Sequence, residues 1–364
     1  LQEKLTEAEP GLYKLNGRES KTRFVLTTEI SCIYSKANAV RRIHLILFAP
    51  SFQAVEKINT QLGWIGNLHA DGRPILGIDV KEVLKIALDA SPDCMVVPAH
   101  AWTPWFSVFG SKSGFNSLEE CFDEYTKYIY AVETGLSSDP PMNWRLSKLD
   151  TVALISNSDS HSLAKIGREA NVFDVEVSYF AIADAIKTKD PTKFLFTVEF
   201  FPEEGKYHYD GHRLCGVRMK PQESKLQKNI CPKCGRVLTI GVLNRVEELA
   251  DRPEDFQPMN AIPFRSLIPL EEIIGDALGV GVGAKQVREE YENLVKQFGN
   301  EFQILLEASL EDLGAATLPE IAEGIGLVRE GKVAIEPGYD GEYGKIKIFQ
   351  ENDQRSLVRQ KSLF

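Results

Sequence analysis

Thr151-Val-Ala-Leu-Ile155 runs into Ser156-Asn-Ser-Asp-Ser-His161, an apolar stretch that stops on a carboxylate and an imidazole two residues apart. A β-strand turns residues i and i+2 to the same side, so Asp159 and His161 are expected to face one space. The same pattern of apolar strand and ligand-type residue recurs three times. Glu29 ends Phe24-Val-Leu-Thr-Thr-Glu29, His44 lies within Arg42-Ile-His-Leu-Ile-Leu-Phe48, and His100 ends Met95-Val-Val-Pro-Ala-His100. Oxygen and imidazole donors from several strands suit a catalytic zinc or manganese site, which predicts a metal-dependent hydrolase.

The 364 residues allow a large core and more than one domain. An apolar content of 43% and a charged content of 26% are ordinary for a globular protein. No apolar run approaches the ~20 residues of a membrane span, so no membrane partner is expected. The first residues are charged, without the apolar core of a secretory signal. They begin with Leu instead of Met, and the sequence is read as lacking its natural N-terminus. Cys32, Cys94 and Cys121 stand singly, as buried thiols do, which fits a reducing cytoplasm. A net charge of −10 speaks against nucleic acid as a partner overall, but binding is decided by local patches.

Apolar runs at 23–28, 43–48, 94–98, 129–133, 151–156 and 194–198 alternate with helical periodicity at 54–62, 79–88, 118–125 and 179–187. Such alternation predicts a parallel α/β fold with functional groups at C-terminal strand ends, as in a β/α barrel. A doubly wound open sheet is the alternative. It is less favoured because no Gly-rich nucleotide fingerprint follows any strand. The expected organisation is a hydrolase barrel over 1–200, a zinc ribbon over 201–250, a helical DNA-binding domain over 259–350 and a flexible tail over 351–364.

His212-Arg-Leu-Cys215 and Cys231-Pro-Lys-Cys234 form two short ligand pairs separated by 15 residues. Four such donors close a tetrahedral zinc shell with no open position, so this zinc would be structural; His208 is the alternative histidine. Segment 206–236 holds eight Lys or Arg against two acidic residues, a patch suited to phosphate backbones or simply a solvated basic face.

With these residues in hand, the chain resembles the endonuclease Q family, DNA-repair nucleases built on a PHP (polymerase and histidinol phosphatase) domain. The likeness runs through Leu26-Thr-Thr-Glu29, Pro98-Ala-His-Ala-Trp-Thr-Pro-Trp105, Glu133-Thr-Gly-Leu-Ser137, Ser156–His161, Gly167-Arg-Glu-Ala-Asn171 and the two ligand pairs. The resemblance implies a PHP-type distorted β/α barrel with a multinuclear centre of Zn, Mn or Mg. Glu29, His44, His100, Asp159 and His161 map to its ligand positions, with Glu29 bridging. The family's N-terminal H-x-H pair has no counterpart here, in keeping with a missing N-terminus.

The implied reaction is hydrolysis of a DNA phosphodiester 5′ to a deaminated base such as hypoxanthine, uracil or xanthine. Asp159 would ligate metal and position the attacking water, and Arg168 would neutralise the phosphate, unless it forms a helix-surface salt bridge. Trp102 and Trp105 are candidates to stack on an extruded base, with a core role as the alternative. Asn157 would hydrogen-bond the substrate or cap its loop. Lys285 follows the Leu278-Gly-Val-Gly-Val-Gly-Ala turn, which either meets a DNA phosphate or merely joins two helices. The terminus Gln360-Lys-Ser-Leu-Phe364 resembles the bacterial sliding-clamp pentapeptide, with Gln360, Leu363 and Phe364 as contacts. A PHP phosphoesterase acting on a small phosphomonoester would need neither the ribbon nor that tail. A non-catalytic DNA- or clamp-binding scaffold is the other alternative.

Overall fold

The computed structural model describes residues 1–70 and 72–349. The Gln360, Leu363 and Phe364 assignment lies outside the described residues. The chain divides into two compact units, Leu1–Arg265 with Gly338–Tyr343, and Ser266–Pro337 with the chain from Gly344 onward.

The first unit opens with an antiparallel hairpin, β1 (Leu5–Glu9) and β2 (Leu12–Leu15), that hydrophobic periodicity does not reveal. Its central element is a longer hairpin of β3 (Leu26–Lys36) and β4 (Ala39–Ala49), paired residue for residue from Leu26↔Ala49 to Lys36↔Ala39. Ala37 and Asn38 between them both have positive φ, which suits a two-residue hairpin turn. Helix α1 (Phe52–Gly63) follows, capped by Ser51, and β5 (Ile75–Leu76) pairs parallel to β3. Helix α2 (Val80–Ala90), capped by Asp79, leads to β6 (Met95–Pro98), antiparallel to β4. The resulting sheet has the order β5-β3-β4-β6.

The alternation of strands and helices predicted a parallel arrangement, and this sheet is mainly antiparallel. A parallel crossover needs about a dozen residues, and only two separate β3 from β4. Strand β3 also extends eight residues past the predicted 28, through Glu29 and Ser31, because polar side chains on one face hide it from a hydrophobicity reading.

After α3 (Leu118–Phe122), β7 (Ala131–Glu133) and β8 (Ala153–Ile155) pair in parallel, with α4 (Pro140–Trp144) between them. Strand β9 (Ala170–Phe173) and helix α5 (Tyr179–Thr188) precede β10 (Phe194–Glu199), which is antiparallel to β9. Hydrogen bonds link successive strands: Ala99 N–H to His44 O at 3.0 Å, Ala101 N–H to Glu133 O at 2.9 Å, and Thr134 N–H to Ile155 O at 2.9 Å. The Ser156 hydroxyl then donates to Val198 O at 2.7 Å. The fold is mixed α/β with its strands in several sheets, and no closed barrel forms among the described residues.

Segment 201–250 contains the hairpin β11 (Asp210–His212) and β12 (Val217–Met219), helix α6 (Pro221–Leu226) and helix α7 (Val242–Leu249). Val242 and Val246 of α7 enter the large core built on β3, β4 and α2. Arg245 is buried and donates to the carbonyls of Phe109 (3.0 Å) and Phe115 (3.1 Å). The fully buried Asp210 gathers this segment, accepting from Gly241 N–H (2.7 Å), Asn244 Nδ2 (2.5 Å) and the Ser224 hydroxyl. Residues 338–343 return to the same place: Asp340 accepts from Arg213 N–H (2.6 Å) and Thr239 Oγ1 (2.5 Å). Strand β13 (Phe264–Ser266) borders β10.

The second unit holds α8 (Leu270–Leu278), α9 (Lys285–Phe298), a π-helical turn at Gln303–Glu307, α10 (Leu310–Ala316) and α11 (Pro319–Arg329). Its last described strands form the hairpin β14 (Ala334–Glu336) and β15 (Lys345–Lys347). No helix among the described residues is long and apolar enough to cross a membrane.

Replacing Asp210 with Ala would leave three buried donors without their carboxylate. Each buried unpaired group costs roughly 1–3 kcal/mol, so Asp210→Ala is expected to lower the unfolding free energy by about 3 kcal/mol in urea titrations. A loss below about 1 kcal/mol would show that the three donors find other partners.

Candidate metal centre and its surroundings

Glu29 pairs across the hairpin with Ile46, and Ser31 with His44. Residues directly opposite share a face and alternate residues on a strand repeat it, so Glu29 and His44 meet diagonally on one face. Glu29 Oε1 lies 2.9 Å from His44 Nδ1 and 3.4 Å from His100 Nε2. The two imidazole nitrogens are 3.0 Å apart. One donor atom from each of the three lies within 4.8 Å of the others, a spacing that can hold a metal ion. Arg73 also reaches Glu29 Oε1, at 2.7 Å.

Their electrostatics are set by burial against mutual contact. Burial would raise the Glu29 carboxyl, but hydrogen bonds from His100, His44 and Arg73 hold it far below the usual carboxylate range. Burial lowers His44, which favours the neutral imidazole a metal requires. Burial would also lower His100, yet the charges of Glu29, Glu133 and Asp159 bring it above the usual histidine value. Thr103 Oγ1 donates to Trp105 O at 2.9 Å and sits 3.0 Å from His100 Nδ1. It therefore accepts from Nδ1–H, leaving Nε2 directed at the cluster.

His100 has φ +32, in the left-handed region. Gly135 makes room for it: a Cβ there would stand 2.7 Å from the Cβ of His100, and Gly135 itself has φ +60. Non-glycine residues held in this region are strained, and such strain clusters at functional sites.

Asp159 and His161 do not join the three-residue group. Strand β8 ends at Ile155, so the alternation of a strand does not extend to them, and Asp159 has φ +43. The His161 side chain is 82% exposed, and its Nδ1 rests 2.9 Å from Asp159 O. Asp159 nonetheless acts on His100 and Glu133 through its charge, which puts it on the same side of the fold. The expectation that functional groups sit at strand ends also fails for Glu29 and His44, which are inside their strands.

Other predicted side chains are engaged elsewhere. Trp102 is 1% exposed, packs on Phe109 and donates its indole N–H to Asn143 Oδ1 at 2.8 Å, so it is a core residue that cannot stack on a base. Asn157 hydrogen-bonds Glu133 (2.8 Å) and Asn171 (3.2 Å) within its loop. Arg168 donates to the carbonyl of Ser158 at 2.9 Å and supports the loop that carries Asp159. Lys285 forms an exposed ion pair with Glu289 at 3.0 Å, one turn along α9. Trp105 is 42% exposed and meets Tyr207 edge-on with ring centroids 5.9 Å apart. These two rings line a cavity of about 240 Å³ with Thr103, Lys206 and His208. A larger cavity of about 620 Å³, between Trp144, Lys189 and residues 256–262, is not lined by Glu29, His44 or His100.

His212, Cys215, Cys231 and Cys234 bring their donor atoms within 4.8 Å of one another. A tetrahedral site with bonds of roughly 2.3 Å requires donors about 3.8 Å apart, so the four fit an ion such as zinc. Cys234 Sγ and His212 Nδ1 are 3.4 Å apart. Burial would raise Cys231, but backbone N–H groups of Lys233 and Cys234 bring its thiol down to about 6. His208 is outside the group: it is buried, pushed down to about 4 by that burial, and its Nδ1 has no partner.

Behind the centre lies a layer of buried carboxyls that a residue-by-residue reading does not anticipate: Glu133, Glu169 and Glu199. Their one sequence signal is position, since Glu133 and Glu199 each close an apolar strand.

The whole chain superposes on the crystal structure of the lesion-specific endonuclease PfuEndoQ from Pyrococcus furiosus, with a TM-score of 0.85 and 28% identity over 87% of that chain. This chain belongs to the endonuclease Q family. Endonuclease Q in complex with a 27-mer duplex bearing an abasic lesion at the active site matches 98% of the chain and 86% of that structure, with a TM-score of 0.81 and 28% identity. The uncharacterized protein YqxK of Bacillus subtilis is 33% identical over 91% of this chain and 80% of its own length. The uncharacterized protein MJ0043 of Methanocaldococcus jannaschii is 36% identical over 68% of this chain, which spans 31% of that protein. The MJ0043 C-terminal domain family matches residues 269–332, within the second unit.

Burial pushes Glu199 up to about 8, against hydrogen bonds from Thr197 (2.5 Å) and Thr134 (2.9 Å). Because its folded pKa exceeds the unfolded 4.5, its contribution to stability is complete below pH 4.5 and is lost as the pH rises through about 8. Thermal melts should therefore fall between pH 5 and pH 8.5 in the wild type and fall less in Glu199→Gln. Equal slopes in the two proteins would contradict a buried neutral Glu199.

Proposed function

We propose that this chain is a divalent-metal-dependent DNA endonuclease that cuts the phosphodiester 5′ to deaminated bases such as hypoxanthine, uracil and xanthine. The observation that carries the reading is the Glu29–His44–His100 cluster in a chain that matches a lesion-specific endonuclease along its whole length. A bound divalent ion supplies Lewis acidity and lowers the pKa of water, the chemistry that phosphodiester hydrolysis needs.

The chain's own groups prepare that site. Glu29 stays anionic and His44 neutral, so both offer lone pairs, and Thr103 turns Nε2 of His100 inward. Asp159 adds a carboxylate from the neighbouring loop, and His161 ligates only after its exposed ring swings inward. Arg73, at the rim, offers a guanidinium to a phosphate oxygen. Extruding a base and stacking it on an aromatic ring is how enzymes read single damaged nucleotides. The cavity between Trp105, Tyr207 and Lys206 supports that role here, with Trp105 as the stacking ring.

His212, Cys215, Cys231 and Cys234 would hold a structural zinc, and the surrounding basic segment would follow the DNA backbone. The tail residues Gln360, Leu363 and Phe364 would engage a bacterial sliding clamp.

Labelled duplexes with one hypoxanthine, one uracil or only normal bases test the activity in Mn²⁺, Mg²⁺ or Zn²⁺. Incision is expected only at the lesion, on its 5′ side, and should fall to the metal-free background in Glu29→Gln. Cutting of every duplex alike, or full activity in Glu29→Gln, would overturn the reading. Deleting residues 360–364 should abolish co-elution with the clamp and leave incision intact; unchanged co-elution would refute the tail assignment.

A further inference from the structure

Three polar side chains that are not in the metal cluster form a directed chain from β9 to His100. Asn171, on β9, has its amide orientation set by backbone: its Oδ1 accepts from Ser156 N–H at 2.9 Å and its Nδ2 donates to Ser156 O at 2.8 Å. The same Nδ2 donates to Asn157 Oδ1 at 3.2 Å. Asn157 must then present its Nδ2 outward, and it donates to Glu133 Oε1 at 2.8 Å. Glu133 Oε2 accepts from the backbone N–H of His100 at 2.7 Å.

Glu133 is 3% exposed and meets a donor on each oxygen, so this position requires two acceptors. The N–H it holds belongs to the residue with φ +32, whose backbone gains little from regular structure. The loop it holds through Asn157 leads directly into Asp159.

We infer that Glu133 is a positioning residue that, through Asn157, clamps the left-handed backbone of His100 to the loop bearing Asp159 and thereby sets the geometry of the metal centre. The inference rests on the metal-centre reading above for its consequence, though not for the clamp itself. Glutamine fits the same volume but offers one acceptor and one N–H group, so in Glu133→Gln a donor faces a donor at one end or the other. Exchanging the partners restores the match. In Glu133→Gln/Asn157→Asp, the amide oxygen introduced at position 133 would accept from His100 N–H, and the amide N–H beside it would donate to the carboxylate introduced at position 157. The other oxygen of that carboxylate would still accept from Asn171.

The test uses the full chain, with amide hydrogen exchange of residues 98–102, Mn²⁺ titration calorimetry and thermal melts on the wild type, both single variants and the double variant. Loss of an outer partner of a metal ligand costs about 10–100-fold in metal affinity, and that loss is expected in Glu133→Gln together with faster exchange at His100. The double variant should recover most of both. Wild-type behaviour in Glu133→Gln would overturn the clamp, as would a double variant no better than Glu133→Gln in exchange or folding. If the wild type binds no Mn²⁺, the metal-centre reading falls, while exchange at His100 still decides the clamp.

Discussion

The register of β3 against β4 is the constraint on which the candidate site depends. Glu29 and His44 meet only because the two-residue turn at Ala37–Asn38 pairs Ser31 with His44. A slip of one residue would turn one of the two side chains to the opposite face. The apolar residues of the same hairpin, Ile30, Cys32, Ile43, Leu45 and Leu47, are fully buried in the core. Burial of that face resists the slip, so the core and the site enforce one another.

Once the hairpin is set, electrostatics shape the rest of the centre. Glu29 is anionic because two imidazoles and a guanidinium surround it, whereas burial raises the carboxyls behind it. Glu169 and Glu199 repel each other as anions, and Glu169 Oε2 has no hydrogen-bond partner. Glu169 and Glu199 are stable there when they stay protonated, since an unpaired buried charge costs several kcal/mol or more, whereas Glu133 meets a donor on each of its oxygens. The site thus combines a charged carboxylate at Glu29 with neutral carboxyls at Glu169 and Glu199.

Segment 201–250 is held within the first unit by polar groups at two places. Asp210 ties its hairpin to α6 and α7, and Asp340 ties the His212 turn to a loop more than a hundred residues away in sequence. At Gly211 a Cβ would collide with the ring of Tyr339, so the close fit of that loop needs glycine there. The segment that brings Lys206 and Tyr207 beside Trp105 is therefore fixed in place from both sides.

Local patterns were enough to identify the β/α content, most helices and the ligand-type residues, because burial periodicity, capping residues and short Cys and His spacings act over a few residues. Glu29, His44 and His100 could be singled out this way, as could the four donors His212, Cys215, Cys231 and Cys234. Strand direction, the sorting of Trp102 into the core and Trp105 to the surface, and the roles of Glu133, Asn157 and Arg73 depended on partners distant in the chain. Strand alternation does not reach Asp159 and His161, because where a strand ends is decided by what pairs with it, although the two side chains still approach to 3.9 Å. Sequence by itself determined which chemical groups this protein has to work with. Only the tertiary structure decided which of them meet, because contact across a sheet follows register and packing, and neither is written in any single stretch of residues.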